Sequence, residues 1–425
     1  MLIPRSFSRL WVPMLLLGRL WVTGTVAAAD DPALWPQFHG PNRDNISTET
    51  GLLEKWPEGG PKLLWTTSGL GHAFAGVSIA EGMIYTAGNV DDDTVITALD
   101  MDGKILWQAK NGRAWHNPVP GVRGTPTIDG DRLYLESPFG DVVCLEAKSA
   151  KKLWGLNILE AYQGKPNQWG LAESLLIDGD RVICRPGGPE ASFVALDKRT
   201  GRAIWTTPST GDLAGYSSTA LADCGGLRIL LALMSEALVG ANADSGELLF
   251  RFEHRTPFDE NITTPIYHDG HVFISTRTTG SVMLRLNVDG PRASVEEVWR
   301  NTDLDNQHGG VILLDGHLYG SSHVRNDGKW ISLDWNTGRT MYVEEGIGKK
   351  GSLTYADGML YVMDERGAVG LMRPTPTGCK ITSRFQIPEG GEGPTWAHPV
   401  VCGGRLYVRH GDFLYVYDVH RTRAP

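Results

Sequence analysis

The chain has 425 residues, 41% of them hydrophobic, with 52 glycines, 14 tryptophans and a formal net charge of −9. This charge argues against nucleic acid as a partner, because the neutralisation of phosphates requires clustered lysine and arginine side chains. The length exceeds that of one ordinary compact core but is normal for a closed array of repeats.

The first 29 residues have the features of a secretory signal peptide. Two arginines precede the apolar run Leu10–Leu17, and the small residues 27–29 offer a cleavage site. Arg19 interrupts the apolar stretch, so initiation at Met14 is an alternative in which Arg19 becomes the charged flank. A membrane anchor is the weaker interpretation, because a span needs about 20 uninterrupted apolar residues. We therefore expect an exported protein, periplasmic or extracellular.

A segment rich in aromatic, proline and glycine residues follows, from residue 30 to residue 60. Its opening, residues 35–43, has the sequence W-P-Q-F-H-G-P-N-R. We predict that residues 30–60 form an ordered strap, called the strap below, which packs Trp35 and Phe38 on the folded repeats. A single domain built of repeats then occupies residues 61–425.

One pattern returns along most of this domain. A strand of small residues leads into an acidic-Gly or Gly-Gly turn and an apolar strand. A strand ending in Leu-Asp, a Thr-Gly turn and a short strand with a closing aromatic residue complete the unit. The clearest copy contains Asp178-Gly179, Leu196-Asp197, Thr200-Gly201 and Trp205. Glycine suits these turns because it accepts a positive φ without a Cβ clash.

The unit occurs eight times, with closing aromatics 42 to 51 residues apart. Such a period with four strands per unit is typical of β-propeller blades, so we predict an all-β, eight-bladed propeller of four-stranded antiparallel blades. The closing aromatics are Trp65, Trp107, Trp154, Trp205, Phe250, Trp299, Tyr342 and Phe385.

The ends of the repeat array indicate how the ring closes. Lys62–Trp65 is a closing strand that precedes the first complete unit, and the last unit, residues 395–419, lacks one. We predict that this N-terminal strand completes the C-terminal blade, because an unpaired strand edge would invite association. Seven blades is the alternative, because the fourth unit has Asn242 in place of Asp and the seventh contains Pro374 and Pro376.

The motifs D-G-x-x-Y, L-D-x-x-T-G and the closing tryptophan resemble the repeat of the pyrroloquinoline-quinone-like (PQQ-like) propellers. That class includes quinoprotein dehydrogenases and the propeller lipoprotein of the outer-membrane protein assembly machinery. The resemblance covers about residues 61–419, and residues 35–43 are similar to the start of many secreted members. It implies the propeller fold, whereas the repeat itself builds blades and does not specify an activity.

The resemblance also implies what a dehydrogenase would need: a quinone in the central funnel, a calcium ion, a stacking tryptophan, a disulfide between adjacent cysteines and a catalytic aspartate. The five cysteines include no adjacent pair, and we interpret them as small buried or turn residues, with one disulfide as an open alternative. Glu190 is a weak candidate calcium ligand, but calcium requires six or more oxygens. We expect no cofactor; PQQ and calcium belong only to the oxidoreductase alternative.

Candidate binding residues lie in the connections before each innermost strand and in the loops between second and third strands. In a propeller these segments surround one mouth of the channel, and here they are rich in aromatic residues, histidine and arginine. Such a collar suits a small anionic or sugar-like ligand, or a partner peptide. The candidates are His72, Trp115, His116, Arg123, Trp169, Glu173, Tyr216, Asn261, His308, His323, Arg325, Trp396 and His398.

No recognisable catalytic set accompanies these residues, so the favoured hypothesis is an exported, non-catalytic propeller that binds a protein or a ligand. The first alternative is a PQQ-dependent oxidoreductase of alcohols or sugars. The second is a carbohydrate-binding accessory protein, based on Trp115, Trp169 and Trp396. We expect a monomer with no nucleic-acid partner and no stable membrane span.

Overall fold

A computed structural model describes residues 34–325 and 327–421, together with Met1. The predicted signal peptide, residues 1–29, lies outside the described residues. Eight antiparallel sheets are arranged as an eight-bladed β-propeller, which confirms the predicted fold class and excludes the seven-bladed alternative. Within the described range, no helix combines the length and the apolar composition needed to cross a bilayer.

The first four blades use consecutive strands of the chain, from the innermost strand outwards. A four-residue helix, α1 (Ile158–Ala161), follows the second blade. The strands are β3 (Ser78–Ala80), β4 (Met83–Val90), β5 (Asp93–Asp100) and β6 (Ile105–Arg113); β7 (Thr127–Asp129), β8 (Arg132–Glu136), β9 (Asp141–Glu146) and β10 (Lys152–Asn157); β11 (Leu176–Asp178), β12 (Arg181–Cys184), β13 (Val194–Asp197) and β14 (Ala203–Thr206); β15 (Ala220–Cys224), β16 (Leu227–Leu233), β17 (Ala237–Asn242) and β18 (Leu248–Glu253).

The last four blades follow the same order, except that β1 from the strap joins the seventh blade and β2 from the start of the propeller domain joins the eighth. The strands are β19 (Ile266–His268), β20 (His271–Thr276), β21 (Gly280–Asp289) and β22 (Arg292–Asn301); β23 (Val311–Leu314), β24 (His317–Ser321), β25 (Trp330–Asp334) and β26 (Thr340–Glu344); β27 (Gly351–Ala356), β28 (Met359–Asp364), β29 (Ala368–Thr375) and β30 (Gly378–Gln386), with β1 (Ile46–Ser47); β31 (Val400–Cys402), β32 (Arg405–His410) and β33 (Phe413–Asp418), with β2 (Lys62–Thr67).

The ring closes as predicted, by a strand from the front of the propeller domain. β2 pairs antiparallel with β33, with Leu63 opposite Tyr417 and Thr67 opposite Leu414. The eighth sheet therefore has the order β2-β33-β32-β31. This pairing gives β33 a hydrogen-bonded neighbour on each side, as in the other blades.

The hydrophobic core lies between the blades. One buried cluster joins Tyr85 and Ile96 of the first blade to Leu133 and Val143 of the second. Because each sheet is covered on both faces by its neighbours, the inner strands are apolar almost throughout, as in β16 (LRILLAL). One blade cannot bury its faces alone, so the ring is the stable unit.

The closing aromatic residues connect each blade to the next one. The ladder shifts register just before seven of the eight closing residues, as between Ala203 and Trp205, which leaves the preceding residue unpaired as a β-bulge. In the seventh blade the shift lies between Ile381 and Ser383, two residues before Phe385. The indole Nε1 of Trp154 donates a hydrogen bond to the Lys198 carbonyl of the next blade, at 3.0 Å. The Trp154 ring packs on the Thr-Gly turn of that blade, where a Cβ on Gly201 would lie 2.7 Å from it. The turn glycine is therefore required by the neighbouring tryptophan as well as by its own positive φ.

The fourth blade forms despite its departure from the repeat. The Asn242 Oδ1 accepts hydrogen bonds from the backbone N–H groups of Asp244 and Ser245, at 2.8 and 3.0 Å. The Asp197 Oδ1 accepts the equivalent pair from Arg199 and Thr200 in the third blade. The turn needs only an acceptor oxygen at this position, so asparagine replaces aspartate.

The seventh blade tolerates its proline for a topological reason. Pro374 lies in β29 opposite Cys379 of β30, beyond Met372, where the pairing with β28 ends. The missing N–H of the proline therefore interrupts no bond to β28.

The contact between Trp154 and Gly201 can be tested with a matched pair of glycines in the third blade. Both Gly179 and Gly201 have positive φ, but only Gly201 has an atom within 4 Å of an added Cβ. We expect Gly179→Ala to lower the free energy of unfolding by about 1–2 kcal/mol through backbone strain. Gly201→Ala should lower it by about a further 1–3 kcal/mol because the indole must move.

Urea unfolding followed by tryptophan fluorescence measures both values. Equal destabilisation by the two substitutions would show that the contact between blades adds nothing to the requirement for glycine.

Candidate ligand-binding cavity

A cavity of about 360 Å³ occupies one mouth of the channel. Each of the eight blades contributes to it through the connection that precedes its innermost strand, as predicted for a collar. Two loops between second and third strands add Arg277 and His323, and the strap adds Phe38 and His39. The lining from the eight connections includes Phe74, Arg123, Trp169, Ser174, Tyr216, Ser218, Glu260, Thr263, Gln307, His308, Lys350, Trp396 and His398.

Seven of the thirteen candidate residues line the cavity: Arg123, Trp169, Tyr216, His308, His323, Trp396 and His398.

Two of the other candidates are exposed, and one supports the lining from behind. His116 is an exposed residue that pairs with Asp92 at 3.3 Å. Arg325 is also exposed, and its backbone N–H bonds the Asp305 carboxylate. His72 lies behind Phe74, with ring centroids 5.5 Å apart.

Three further candidates are internal parts of the scaffold. Trp115 is buried against Phe139, with ring centroids 5.0 Å apart. Glu173 is buried and accepts a 3.0 Å bond from the Arg185 Nε. Asn261 is fully buried, and its Nδ2 donates to three backbone carbonyls. The polar side-chain atoms of Glu173 and Asn261 bond to the loops that shape the collar, and none of these three residues lines the cavity.

A chain of polar contacts runs along the side of the cavity formed by the fifth to seventh blades. Both carboxylate oxygens of Glu260 lie within 3 Å of the Arg277 Nη1, and one also accepts from the Gln307 Nε2 at 2.8 Å. The Lys350 Nζ donates to the Gln307 Oε1 at 2.9 Å and lies 3.4 Å from the His323 Nε2. These contacts hold the cations of Arg277 and Lys350 on the side of the cavity that the fifth to seventh blades form.

Aromatic rings form much of the remaining wall. The Arg123 guanidinium lies 5.6 Å from the Phe74 ring and 5.8 Å from the Tyr216 ring, within the range of cation–π attraction. The Tyr216 hydroxyl donates to the Trp169 carbonyl at 2.6 Å, which orients its ring. The Lys350 Nζ lies 5.8 Å from the Trp396 ring. Flat apolar surfaces therefore alternate with positive charges around the opening.

Four histidines in the cavity wall are held in the neutral state. Burial, followed by the charge of Lys350, lowers the pKa of His308 well below 6.5 and that of His323 to about 4. Burial likewise lowers the pKa of His398 to about 4 and that of His39 to well below 6.5. Both ring nitrogens of His308 are shielded from solvent and have no hydrogen-bond partner among the described residues. A neutral imidazole has one donor and one acceptor, so the hydrogen-bonding capacity of the His308 ring is not used by the described residues.

Lys350, Glu260, Phe38 and His39 are among the lining residues that the sequence prediction missed. Lys350 directly precedes an innermost strand, so the rule used for the other connections contained the signal for it. Glu260 is adjacent to the candidate Asn261, which was selected in its place. Phe38 and His39 belong to the strap, and no sequence feature showed that these side chains would enter the channel.

The acidic side chains that would hold the calcium ion of the dehydrogenases are not gathered in one place among the described residues. Glu190 is exposed, contacts Gln163 and does not line the cavity. Among the described residues, no group of three or more His, Cys, Asp or Glu side chains is placed to hold a metal ion. Cys144, Cys184, Cys379 and Cys402 are buried, Cys224 is half-buried, and all five are free. The donor set for calcium is therefore not assembled at this mouth.

The closed ring and its repeat define a PQQ-like β-propeller. The family model described as outer membrane protein assembly factor BamB (PQQ_2) matches residues 91–344, which is more than half of the chain. The chain belongs to this family.

Two dehydrogenases match shorter segments. The quinohemoprotein alcohol dehydrogenase ADH IIB of Pseudomonas putida is 26% identical over 157 residues, covering 33% of this chain and 22% of the dehydrogenase. The quinoprotein ethanol dehydrogenase of Pseudomonas aeruginosa is 31% identical over 87 residues, covering 20% of this chain and 14% of that protein. The chain therefore matches only a minor part of either relative.

Solved structures share the fold at low identity. BamB from Moraxella catarrhalis has a TM-score of 0.57 and 15% identity, with 85% of this chain and 99% of that chain covered. The quinohemoprotein alcohol dehydrogenase from Comamonas testosteroni has a TM-score of 0.62 and 11% identity, with 93% and 82% covered. At these identities the likeness concerns the fold alone.

The neutral histidines predict a loss of stability in acid. Because the pKa of His398 is lower in the folded protein than in the unfolded chain, the unfolded chain takes up the proton first as the pH falls. The contribution of neutral His398 to the free energy of unfolding is complete above about pH 6.5. It is lost progressively as the pH falls to about 4, at about 1.4 kcal/mol per pH unit.

We expect His398→Gln to reduce the difference in unfolding free energy between pH 6.5 and pH 5 by about 2 kcal/mol. Urea unfolding at both pH values measures this difference, whatever the effect of the substitution at neutral pH. The assignment fails if the variant and the wild type lose the same stability on acidification.

Proposed function

We propose that this protein is an exported, non-catalytic binding module that takes a small anionic ligand in the cavity at the propeller mouth. The observation that carries the proposal is the charge of the lining. Arg123, Arg277 and Lys350 stand against one carboxylate, Glu260, among the described lining residues. Each cation lies near an aromatic ring, so the wall offers charge and flat apolar surface together.

Lys350 is the central cation in this proposal. Its ammonium is largely removed from water, with 13% of the side chain exposed, and burial lowers its pKa. Glu365 lies 3.6 Å away and offsets part of this cost. A bound carboxylate or phosphate would offset more, because charge-assisted hydrogen bonds strengthen where water is excluded. The site thus gains from an anion more than an exposed lysine would.

Export is supported by the arginines and the apolar run at the N-terminus, and the function proposed here requires a ligand found outside the cytoplasm. Cell fractionation with a C-terminal tag tests this part of the proposal. Recovery of the protein in the periplasm or the medium supports it, whereas recovery only in the cytosol contradicts it.

The two dehydrogenase matches support a second candidate, a quinoprotein oxidoreductase. It requires the protein to bind PQQ with calcium, for which the mouth lacks an assembled set of oxygen ligands. Purified protein mixed with PQQ and calcium decides the matter. A bound-quinone spectrum with dye-linked oxidation of an alcohol or sugar would replace our proposal, and the absence of both would support it.

A carbohydrate-binding role has a narrower basis. Trp169 and Trp396 line the cavity and offer stacking surfaces, whereas Trp115 is buried against Phe139. Binding of neutral glycans with no preference for an acidic group would favour this alternative. A pull-down from envelope proteins tests the remaining alternative, a protein partner.

If Lys350 binds the anion, its removal should lower the affinity for anions. We expect Lys350→Ala to weaken binding of citrate or inorganic phosphate by about tenfold or more, because a hydrogen bond to a charged group contributes about 1.5–3 kcal/mol. Titration calorimetry at low salt measures the dissociation constants. The control is Lys104→Ala, an exposed lysine in the turn between β5 and β6 that should leave the affinity unchanged.

Equal losses of affinity in Lys350→Ala and Lys104→Ala would show that only the net charge of the protein matters, and not the position of Lys350. If neither anion binds the wild type, the proposal itself fails.

A further inference from the structure

Two residues of the strap, Phe38 and His39, line the cavity. We propose that Phe38 and His39 form the floor of the binding site and restrict it to short hydroxylated acids, whose uncharged hydroxylated end lies on the floor. This inference rests on the proposed function and specifies its ligand class. It gives the strap a role in ligand selection in addition to packing on the ring.

The strap is fixed to the propeller on several sides. Trp35 exchanges two backbone hydrogen bonds of 2.8 Å with Ile79 in the innermost strand of the first blade. Strand β1 pairs in parallel with β27, the innermost strand of the seventh blade. Between these points the Arg43 guanidinium donates to the carbonyls of Ser174 and Leu175, at 2.9 and 3.3 Å, beside the third blade. The strap therefore crosses the channel and is held at widely separated blades.

His39 belongs to the linings of two separate cavities. A second cavity of about 580 Å³ lies against other strap residues, including Pro41, Asn42 and Asp44. The two cavities share His39, Thr263, Thr264 and Gly310 in their linings. His39 is the one described strap residue that belongs to both linings, so we infer that it separates the two cavities and limits the depth of the site.

Hydrogen bonds and stacking hold the floor in position. The His39 Nε2 lies 3.1 Å from the His398 Nδ1, and the His398 Nε2 lies 2.7 Å from the His308 carbonyl. Phe38 stacks on the His39 ring, with centroids 3.7 Å apart. Asn45 approaches the same His398 nitrogen at 3.3 Å, so His398 keeps a polar neighbour if His39 is removed.

The chemistry of the lining differs between the mouth and the floor. The cations Arg277 and Lys350 belong to loops of the fifth and seventh blades, whereas the part of the lining next to the strap contains the neutral imidazoles of His39 and His398. Ser174 and Ser218 add hydroxyl groups to the lining. The His308 imidazole, which has no partner among the described residues, has one donor and one acceptor, and a hydroxyl has one donor and two acceptor lone pairs. These groups match alcohols and give no advantage to a second charge. A ligand with a carboxylate at one end and hydroxyls along the other satisfies both regions.

Three six-carbon probes separate the two regions. Gluconate carries the carboxylate and the hydroxyls, hexanoate only the carboxylate, and glucose only the hydroxyls. We expect the wild type to bind gluconate more tightly than either of the others in titration calorimetry. His308→Leu should weaken the binding of gluconate by about three- to tenfold, because one or more hydrogen bonds to the ligand are lost. The affinity for hexanoate should stay unchanged. The ring nitrogens of His308 have no partner among the described residues, so their removal breaks no internal bond.

A longer acid tests the depth of the site. Lactobionate is gluconate with a sugar attached, and we expect the wild type to exclude it. His39→Ala, alone and combined with Phe38→Ala, should improve the affinity for lactobionate by about tenfold or more relative to gluconate, because the two cavities then join. The control is His420→Ala, an exposed histidine that lines neither cavity and should preserve the wild-type ratio.

The outcomes distinguish this inference from the function on which it rests. If citrate, phosphate and gluconate all fail to bind the wild type, the proposed function is wrong. If anions bind but hexanoate equals gluconate, or lactobionate gains nothing in the floor variants, the proposed function stands and the role of the strap is rejected. Circular dichroism of each variant confirms that the propeller is intact.

Discussion

The packing of one blade's closing aromatic residue on the turn of the next blade is the contact on which the molecule depends. Each sheet has two apolar faces, and neither is covered until its neighbours are in place. Where the indole of Trp154 meets Gly201 and the Lys198 carbonyl, it combines buried area with a directional hydrogen bond. The bulge directly before seven of the eight closing aromatic residues belongs to the same contact, because it interrupts the ladder next to the ring that packs on the neighbouring blade.

The cavity is a consequence of this repetition. Eight blades present the same connection at the same end of the channel, so residues far apart in sequence meet in one collar. The scaffold leaves these connections free to vary, and here they carry cations, aromatic rings and neutral histidines. BamB and the alcohol dehydrogenases share the fold, and the fold alone does not choose between their roles. The residues that line the cavity, and not the fold, therefore favour a small anion as the ligand.

Buried polar groups divide into those that build the collar and those that remain available. The Arg185–Glu173 pair and the Asn261 amide hold loops by bonding to neighbouring side chains and backbone. Removal of one partner from such a pair would leave a buried charge without compensation. His308 is different, because it lines the cavity and its two ring nitrogens have no hydrogen-bond partner among the described residues. This contrast separates scaffold residues from candidate ligand contacts more clearly than residue type does.

Local sequence determined the blades, their number and the strand that closes the ring, because turn glycines, closing aromatics and apolar strands are encoded within each unit. It also identified the connections that surround the mouth, and about half of the proposed collar residues line the cavity. Tertiary structure decided the rest, because the direction of a loop side chain depends on neighbours from other blades. Asn261 turns inwards to bond the carbonyls of Met234 and Ser235, while Lys350 turns towards Gln307. The strap is the clearest case, since its path across the channel is set by partners that are 44 residues away at Ile79 and more than 300 away at β27.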